Sequence, residues 1–164
     1  MDRRQAARQI IDLVRQAQGI ALHVDIPNIL QPGLVKEMII SDILGHEVIS
    51  SKRDADACDP GDHSVKYEYL SCYEGGTGQL DRMFKSPADR RGESLRRITR
   101  NRFIYLAIFS NTQPLTVKVI YEIAPNRLLA ETVRQLDRSR NAISHVGFSE
   151  GWARENGIIV YPKK

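Results

Sequence analysis

The spacing of apolar residues changes at Gly45, and this change limits the folds that the chain can adopt. Before Gly45, apolar residues recur at helical spacing, which predicts one helix over residues 2–17, ended by Gly19, and a second helix beginning near Pro32. After Gly45 the pattern becomes alternating or continuously apolar, as is typical of strands. The predicted strands cover residues 46–51, 55–59, 65–72, 102–109, 115–123 and 158–161.

Three further helices are predicted between these strands, at residues 94–101, 125–136 and 152–156. Residues 74–79 are rich in glycine and are predicted to form a loop. The resulting order of elements predicts an α/β (α+β) fold with a mixed central β-sheet flanked by helices. A chain of 164 residues suits one hydrophobic core, so we interpret residues 1–164 as a single domain.

The composition argues against several classes of protein. Two cysteines, Cys58 and Cys72, cannot build a disulfide framework or a four-ligand zinc site alone. No apolar run approaches the roughly 20 residues that a membrane span needs, and the charged N-terminus lacks the apolar centre of a secretory signal. We therefore expect a cytoplasmic protein that has no membrane partner.

Positive charge is concentrated in one segment of a chain whose net charge is +4. Asp89 and Glu93 dilute this segment only slightly. It is either the solvated face of a helix or a stripe that contacts the phosphates of a nucleic acid. The basic residues are Arg82, Lys85, Arg90, Arg91, Arg96, Arg97, Arg100 and Arg102.

Two acidic residues, Asp56 and Glu68, lie on predicted strands that the turn at 60–64 joins. A hairpin brings such carboxylates side by side, and paired carboxylates suit Mg²⁺. Magnesium can activate a water and neutralise charge on a phosphodiester. Alternation places Lys66 and Leu70 on the face of Glu68, where a lysine would stabilise a developing negative charge. Acid pairs are also common on solvated sheets, so this spacing alone leaves both interpretations open.

Several segments, taken in order, resemble the PvuII-type restriction endonucleases of the PD-(D/E)xK nuclease superfamily. They are DIPNILQPG at 25–33, DADACD at 54–59, KYEYLS at 66–71, YLAIF at 105–109, VKVIYEIAP at 117–125 and ENGIIVY at 155–161. The resemblance implies a restriction-endonuclease-like core. It also implies that Asp56 and Glu68 are the two motif acids and that the backbone carbonyl of Tyr69 is a further metal ligand.

The sequence departs from the family motif at one position, because Leu70 stands where the motif has lysine. Three explanations are open. Lys66 has taken the role of the lysine; the enzyme works without it, with the metal ion alone activating water; or the chain is an inactive form that still binds DNA. Lys52 and Lys118 are lesser candidates for the missing cation.

The family reads the major groove of DNA from the region after the catalytic hairpin, which here offers Gln79, Asp81, Arg82 and Lys85. Glutamine can pair with adenine, arginine with guanine, and aspartate can accept from cytosine. The alternative is a solvated loop. By similarity of position, Gln31 is a candidate for a minor-groove contact.

The resemblance also implies a homodimer with two active sites, one for each DNA strand. Residues 1–45 would form a helical dimerisation region through Ile10, Ile11 and Val14, and residues 46–164 the catalytic and DNA-binding core. The same apolar stripe could instead pack within one subunit.

The function expected from the sequence is that of a type II site-specific deoxyribonuclease, which uses Mg²⁺ to hydrolyse phosphodiester bonds of double-stranded DNA. The alternatives are a DNA-binding protein of the same fold with impaired catalysis, a structure-specific repair or resolvase-type nuclease, and a plain interaction domain with a basic surface. The recognition sequence and the cleavage pattern do not follow from the sequence.

Overall fold

A computed structural model describes residues 2–51 and 54–163. The chain divides into two compact units between Val35 and Lys36. In the first unit, helix α1 spans Arg3–Leu22. The Asp2 carboxylate accepts a hydrogen bond from the Gln5 backbone at 2.8 Å, and the Gln5 side chain accepts one from the Asp2 backbone at 3.0 Å. This reciprocal capping stabilises the first turn of the helix, which begins where the sequence predicts.

The predicted end of α1 is wrong, because the helix continues through Gly19 to Leu22. A single glycine costs a helix only about 1 kcal/mol relative to alanine, so it need not end one. Helix α1 leaves Ile10 and Ile11 exposed. Helix α2 spans Leu34–Leu44 and ends before Gly45, whose φ of +71° lies in the left-handed region that suits glycine.

The second unit is built on a six-stranded mixed sheet, which confirms the predicted α/β fold with a mixed central sheet flanked by helices. Its strand order is β1-β2-β3-β5-β6-β8; β3 and β5 are parallel, and the other pairs are antiparallel. The remaining elements are β1 Glu47–Val48, β2 Ala57–Cys58, β3 Lys66–Tyr73, β4 Thr77–Phe84, α3 Ala88–Thr99, β5 Phe103–Phe109, β6 Val117–Ile123, α4 Pro125–Arg138, β7 Ile143–Ser149, α5 Glu150–Asn156 and β8 Ile158–Tyr161.

Both faces of the central sheet are packed. Alternation along β3 sends Leu70 and Cys72 into the core on one face, and Tyr67 and Tyr69 into the core on the other. Helix α2 covers the tyrosine face through Ile40. Helices α3, α4 and α5 cover the leucine face, through Ile98, Leu128, Leu136 and Ala153.

The predicted glycine-rich loop at 74–79 is only partly correct, because β4 begins at Thr77 and pairs with β7. We call this two-stranded antiparallel sheet the ribbon. Gly78 lies where the ribbon packs on the central sheet: a Cβ there would be 2.5 Å from Leu106 Cδ1 and 2.9 Å from Leu70 Cβ. The glycine is therefore needed for close approach of two layers, which is a known use of glycine inside a strand.

The remaining boundaries follow the sequence closely, with three corrections. Strands β1 and β2 are much shorter than the predicted 46–51 and 55–59, and Asp56 lies in a bend just before β2. Helix α3 begins six residues before the predicted start at Ser94. Strand β7, which pairs with β4, did not appear in the predicted order of elements.

Candidate active site

The hairpin of β2 and β3 places Asp56 opposite Glu68. The strands pair Ala57 with Tyr67, and continuing this register by one residue aligns the two acids. The Asp56 backbone N–H donates to the Tyr67 carbonyl at 3.1 Å, which shows that the pairing extends this far. The Tyr69 backbone N–H donates to Asp56 Oδ2 at 2.7 Å, so the carboxylate is also held against β3.

Glu68 is a buried carboxyl group with an unsatisfied oxygen. The residue is 8% exposed, and its Oε2 has no hydrogen-bond partner among the described residues. Burial, reinforced by the charge of Asp56 and opposed by Arg97 and Arg100, raises the pKa of Glu68 to about 8. Buried charges in proteins are normally paired or bound to a metal. The described cation nearest to this oxygen is Arg100, whose Nη2 is 3.7 Å away, and the two aligned acids supply oxygen ligands of the kind that a divalent cation takes.

Lys66 shares the Glu68 face but is engaged by another acid. Its Nζ lies 3.1 Å from Asp54 Oδ2. The pKa of Asp54 is lowered by a hydrogen bond from the Ala55 backbone and also by Lys66. The lysine and Asp54 thus form a partly exposed ion pair.

The position of the motif lysine is occupied by a core residue. Leu70 is 3% exposed and packs in the leucine-face core. Of the lesser candidates, Lys118 forms an ion pair with Glu74, and Lys52 lies outside the described residues. Residue 70 therefore supplies no cation, and the expected replacement of the family's lysine by Lys66 stays a prediction.

Helix α3 supplies arginines beside Glu68, a role that the sequence analysis did not assign. Arg100 follows the last turn of α3, and its Nη2 lies 3.7 Å from Glu68 Oε2. One helical turn earlier, Arg97 Nη1 donates to the Asp81 carbonyl of β4 at 2.9 Å. The same end of α3 therefore reaches both the acid pair and the ribbon. The three-residue spacing of Arg97 and Arg100 was the signal for this shared helix face.

Most other members of the basic segment have partners within the chain. Arg91 pairs with Asp137 at 2.8 Å, and Arg90 lies 3.8 Å from Glu93. Lys85 Nζ donates to the carbonyl of Ser139 at 2.7 Å, at the end of α4, and its predicted contact with DNA stays a prediction. The segment is thus not one uniform stripe of unpaired charge.

The side chain of Tyr69 is held in place by two polar neighbours. Its phenol lies on the tyrosine face, 2.8 Å from His46 Nδ1 and 3.1 Å from Ser41 Oγ. Burial raises the pKa of this phenol, which keeps it protonated. The predicted role concerns its backbone carbonyl, and metal ligation by that carbonyl stays a prediction.

The predicted base-reading residues lie on the ribbon rather than in a loop. Gln79, Asp81 and Arg82 are exposed on β4, next to a bulge at which Arg82 adopts a φ of +52°. Asp81 Oδ1 lies 2.7 Å from Nδ1 of exposed His145 on β7. Between this bulge and α3 is a cleft of about 650 Å³, whose lining contains three arginines and two acids: Arg82, Arg90, Arg97, Asp81 and Glu93, with Phe84 and Ser94.

Gln31, the predicted minor-groove contact, lies in the first unit. It is half-buried in the turn before α2, and its carbonyl accepts a hydrogen bond from the Leu34 backbone at 3.1 Å. Its role in DNA binding stays a prediction.

The comparisons with known proteins assign no family. No protein-family model matches the chain, and no curated protein is significantly similar to it. The described helices include none with the length and apolar character needed to cross a bilayer.

Proposed function

We propose that this chain is a magnesium-dependent endonuclease that hydrolyses double-stranded DNA, with a restriction-endonuclease-like core and type II, site-specific activity. The observation that carries the proposal is Glu68 Oε2, a buried carboxyl oxygen that has no hydrogen-bond donor among the described residues and lies 3.7 Å from Arg100 Nη2, on a residue aligned with Asp56 across the hairpin. A carboxyl group in this environment favours binding of a cation over remaining ionised alone.

Asp56 and Glu68 would hold Mg²⁺, and the Tyr69 carbonyl is the proposed third protein ligand. Magnesium, when bound, activates a water molecule and offsets negative charge on the scissile phosphate. The chain's own contribution is position: the Tyr69 N–H fixes the Asp56 carboxylate, and burial on β3 fixes that of Glu68. Two immobile acids pre-organise the site for hard oxygen ligands.

Arg100 and Lys66 are the cations proposed to act with the acid pair. Arg100 lies beside Glu68, and Lys66 lies beside Asp54 on the same face of the hairpin. In the proposed enzyme they stabilise the charge that develops on the phosphate, a role that fixed cations perform well in partly buried sites. This assignment extends the sequence-based choice of Lys66 and adds Arg100.

The ribbon is the proposed surface for base contacts. A two-stranded β-ribbon fits the major groove of duplex DNA. The ribbon exposes Gln79, Asp81 and Arg82. A hydrogen bond from Arg97 to the Asp81 carbonyl connects the ribbon to α3, the helix that reaches Glu68. The proposed homodimer, joined through α1, would present two such ribbons and two acid pairs to a symmetric site.

Plasmid cleavage tests this proposal. Purified protein and supercoiled plasmid in Mg²⁺ should give discrete fragments, and excess chelator should stop the reaction. Sequencing of the fragment ends should reveal one recurring sequence. Absence of cleavage with Mg²⁺ or Mn²⁺, over a range of pH and plasmid sequences, would contradict the nuclease proposal.

A second candidate is a DNA-binding protein of this fold without catalysis, and the burial of Leu70 at the lysine position favours it. It predicts salt-sensitive binding to duplex DNA that does not need a metal, since binding would depend on phosphate contacts. Binding assays in chelator, run beside the plasmid assay, separate the two candidates.

Replacing Arg100 by alanine should lower the cleavage rate by about 100-fold, as for loss of one pre-organised donor to a developing anion. Because Arg100 also favours ionised Glu68, its loss should shift the acidic limb of the pH–rate profile to higher pH. Arg100→Lys should recover part of the rate. Arg96→Ala, an exposed change on the same helix, is the matched control, and an equal loss in that variant would remove the specific role of Arg100.

A further inference from the structure

A second group of potential metal ligands lies at the edge of the sheet, formed by Glu47, Cys58 and His63. Their ligand atoms all lie within 4.8 Å of one another. Glu47 on β1 and Cys58 on β2 are directly opposed in the strand register, and His63 comes from the turn that joins β2 to β3. Three separate segments thus contribute one donor each.

One of the distances within this group already matches that of a metal site. Zn–N and Zn–O bonds of about 2.0–2.2 Å and a Zn–S bond of about 2.3 Å place tetrahedral ligands roughly 3.3–3.7 Å apart. His63 Nε2 and Glu47 Oε2 are already 3.2 Å apart. Because the His63 side chain is exposed on a turn, a small rotation can bring it into position around the thiol.

The donor set selects the kind of metal. Nitrogen, thiolate sulfur and carboxylate oxygen together suit Zn²⁺ and similar divalent transition metals, whereas Mg²⁺ requires oxygen ligands. One thiolate and one carboxylate neutralise the two charges of such an ion. This distinguishes the group chemically from the Asp56–Glu68 pair.

Nearby polar groups are already committed elsewhere. The Asp59 carboxylate accepts hydrogen bonds from the backbone of Gly61 and Asp62, and Asp62 itself accepts from Ser64. Lys66, paired with Cys58 across the strands, directs its Nζ to Asp54. The turn is therefore organised by other contacts, which leave Glu47, Cys58 and His63 facing one another.

We propose that Glu47, Cys58 and His63 bind one Zn²⁺ ion, with water as the fourth ligand. The thiol proton passes to solvent as the zinc–sulfur bond forms. The ion links β1, β2 and the turn, and so stabilises the hairpin. Asp56 lies directly before β2 in that hairpin. The site does not depend on the proposed nuclease activity.

Cobalt substitution tests this proposal, since Co²⁺ bound to a thiolate absorbs in the near ultraviolet. Titration of the full chain with Co²⁺ should produce this band with one equivalent, and Zn²⁺ should displace it. Asp56→Asn/Glu68→Gln and Cys72→Ala should keep the band, because neither change alters the proposed ligands. Cys58→Ala should abolish it.

His63→Ala and Glu47→Gln are surface changes, so they test the site without disturbing the core. Each should weaken Zn²⁺ binding in calorimetry by at least about 100-fold, because loss of a supporting residue around a ligand already costs 10–100-fold. Absence of the cobalt band in the unmodified chain, or unchanged zinc affinity in both surface variants, would overturn the proposal.

Discussion

Replacing Glu68 by glutamine, or Asp56 by asparagine, is expected to reduce magnesium-dependent cleavage of duplex DNA by at least about 100-fold. Each change keeps the size of the side chain and removes the charge that would hold the ion. The two acids are aligned across the hairpin by the strand register, so either loss leaves a single carboxylate of the pair for Mg²⁺. Initial rates on a plasmid or a short duplex measure the effect.

Glu155→Gln is the matched control, because Glu155 is an exposed acid on α5, away from the hairpin. It should cleave at the unmodified rate. Circular dichroism of all variants checks that the fold is intact. Cleavage by both Glu68→Gln and Asp56→Asn at rates close to that of the unmodified protein would remove these acids from the active site.

Glu68→Gln is also expected to stabilise the metal-free protein at neutral pH. Burial raises the pKa of Glu68 from its usual 4.5 to about 8, so the folded state keeps a proton that the unfolded state releases. Stability contributed by the protonated acid is complete below pH 4.5, declines as pH rises toward 8, and is lost above that. At pH 7 this costs the unmodified protein up to about 3 kcal/mol.

Urea unfolding between pH 4.5 and 8.5, in chelator, measures this cost. The difference in unfolding free energy between the glutamine variant and the unmodified protein should grow with pH across that window, since glutamine does not titrate. Added Mg²⁺ should stabilise the unmodified protein and not the variant. A difference that is independent of pH would show that Glu68 has an ordinary pKa in the folded state.

The hairpin could be predicted from sequence because its signals are local. Turn-forming residues at 60–64 and alternation along 65–72 fix which strands meet and which face Glu68 occupies. The two acids are separated by a short loop, so their proximity needs little tertiary information.

The ribbon and the role of α3 could not be predicted because both depend on distant contacts. Gly78 resembles a loop residue, yet it is required by the approach of Leu106, which lies on another strand. Arg100 was one of eight basic residues between positions 82 and 102, and only folding places it at Glu68. The hydrogen bond from Lys85 to the Ser139 carbonyl at the end of α4 likewise joins residues that are distant in the sequence.

The most direct test of the account is the location of a divalent ion in a crystal of the protein bound to duplex DNA and soaked in Mn²⁺. The proposed metal site predicts an anomalous peak about 2.1–2.3 Å from carboxylate oxygens of both Asp56 and Glu68, close to a phosphate of the duplex. A peak elsewhere in a cleaving enzyme, with these two carboxylates free of metal, would contradict it.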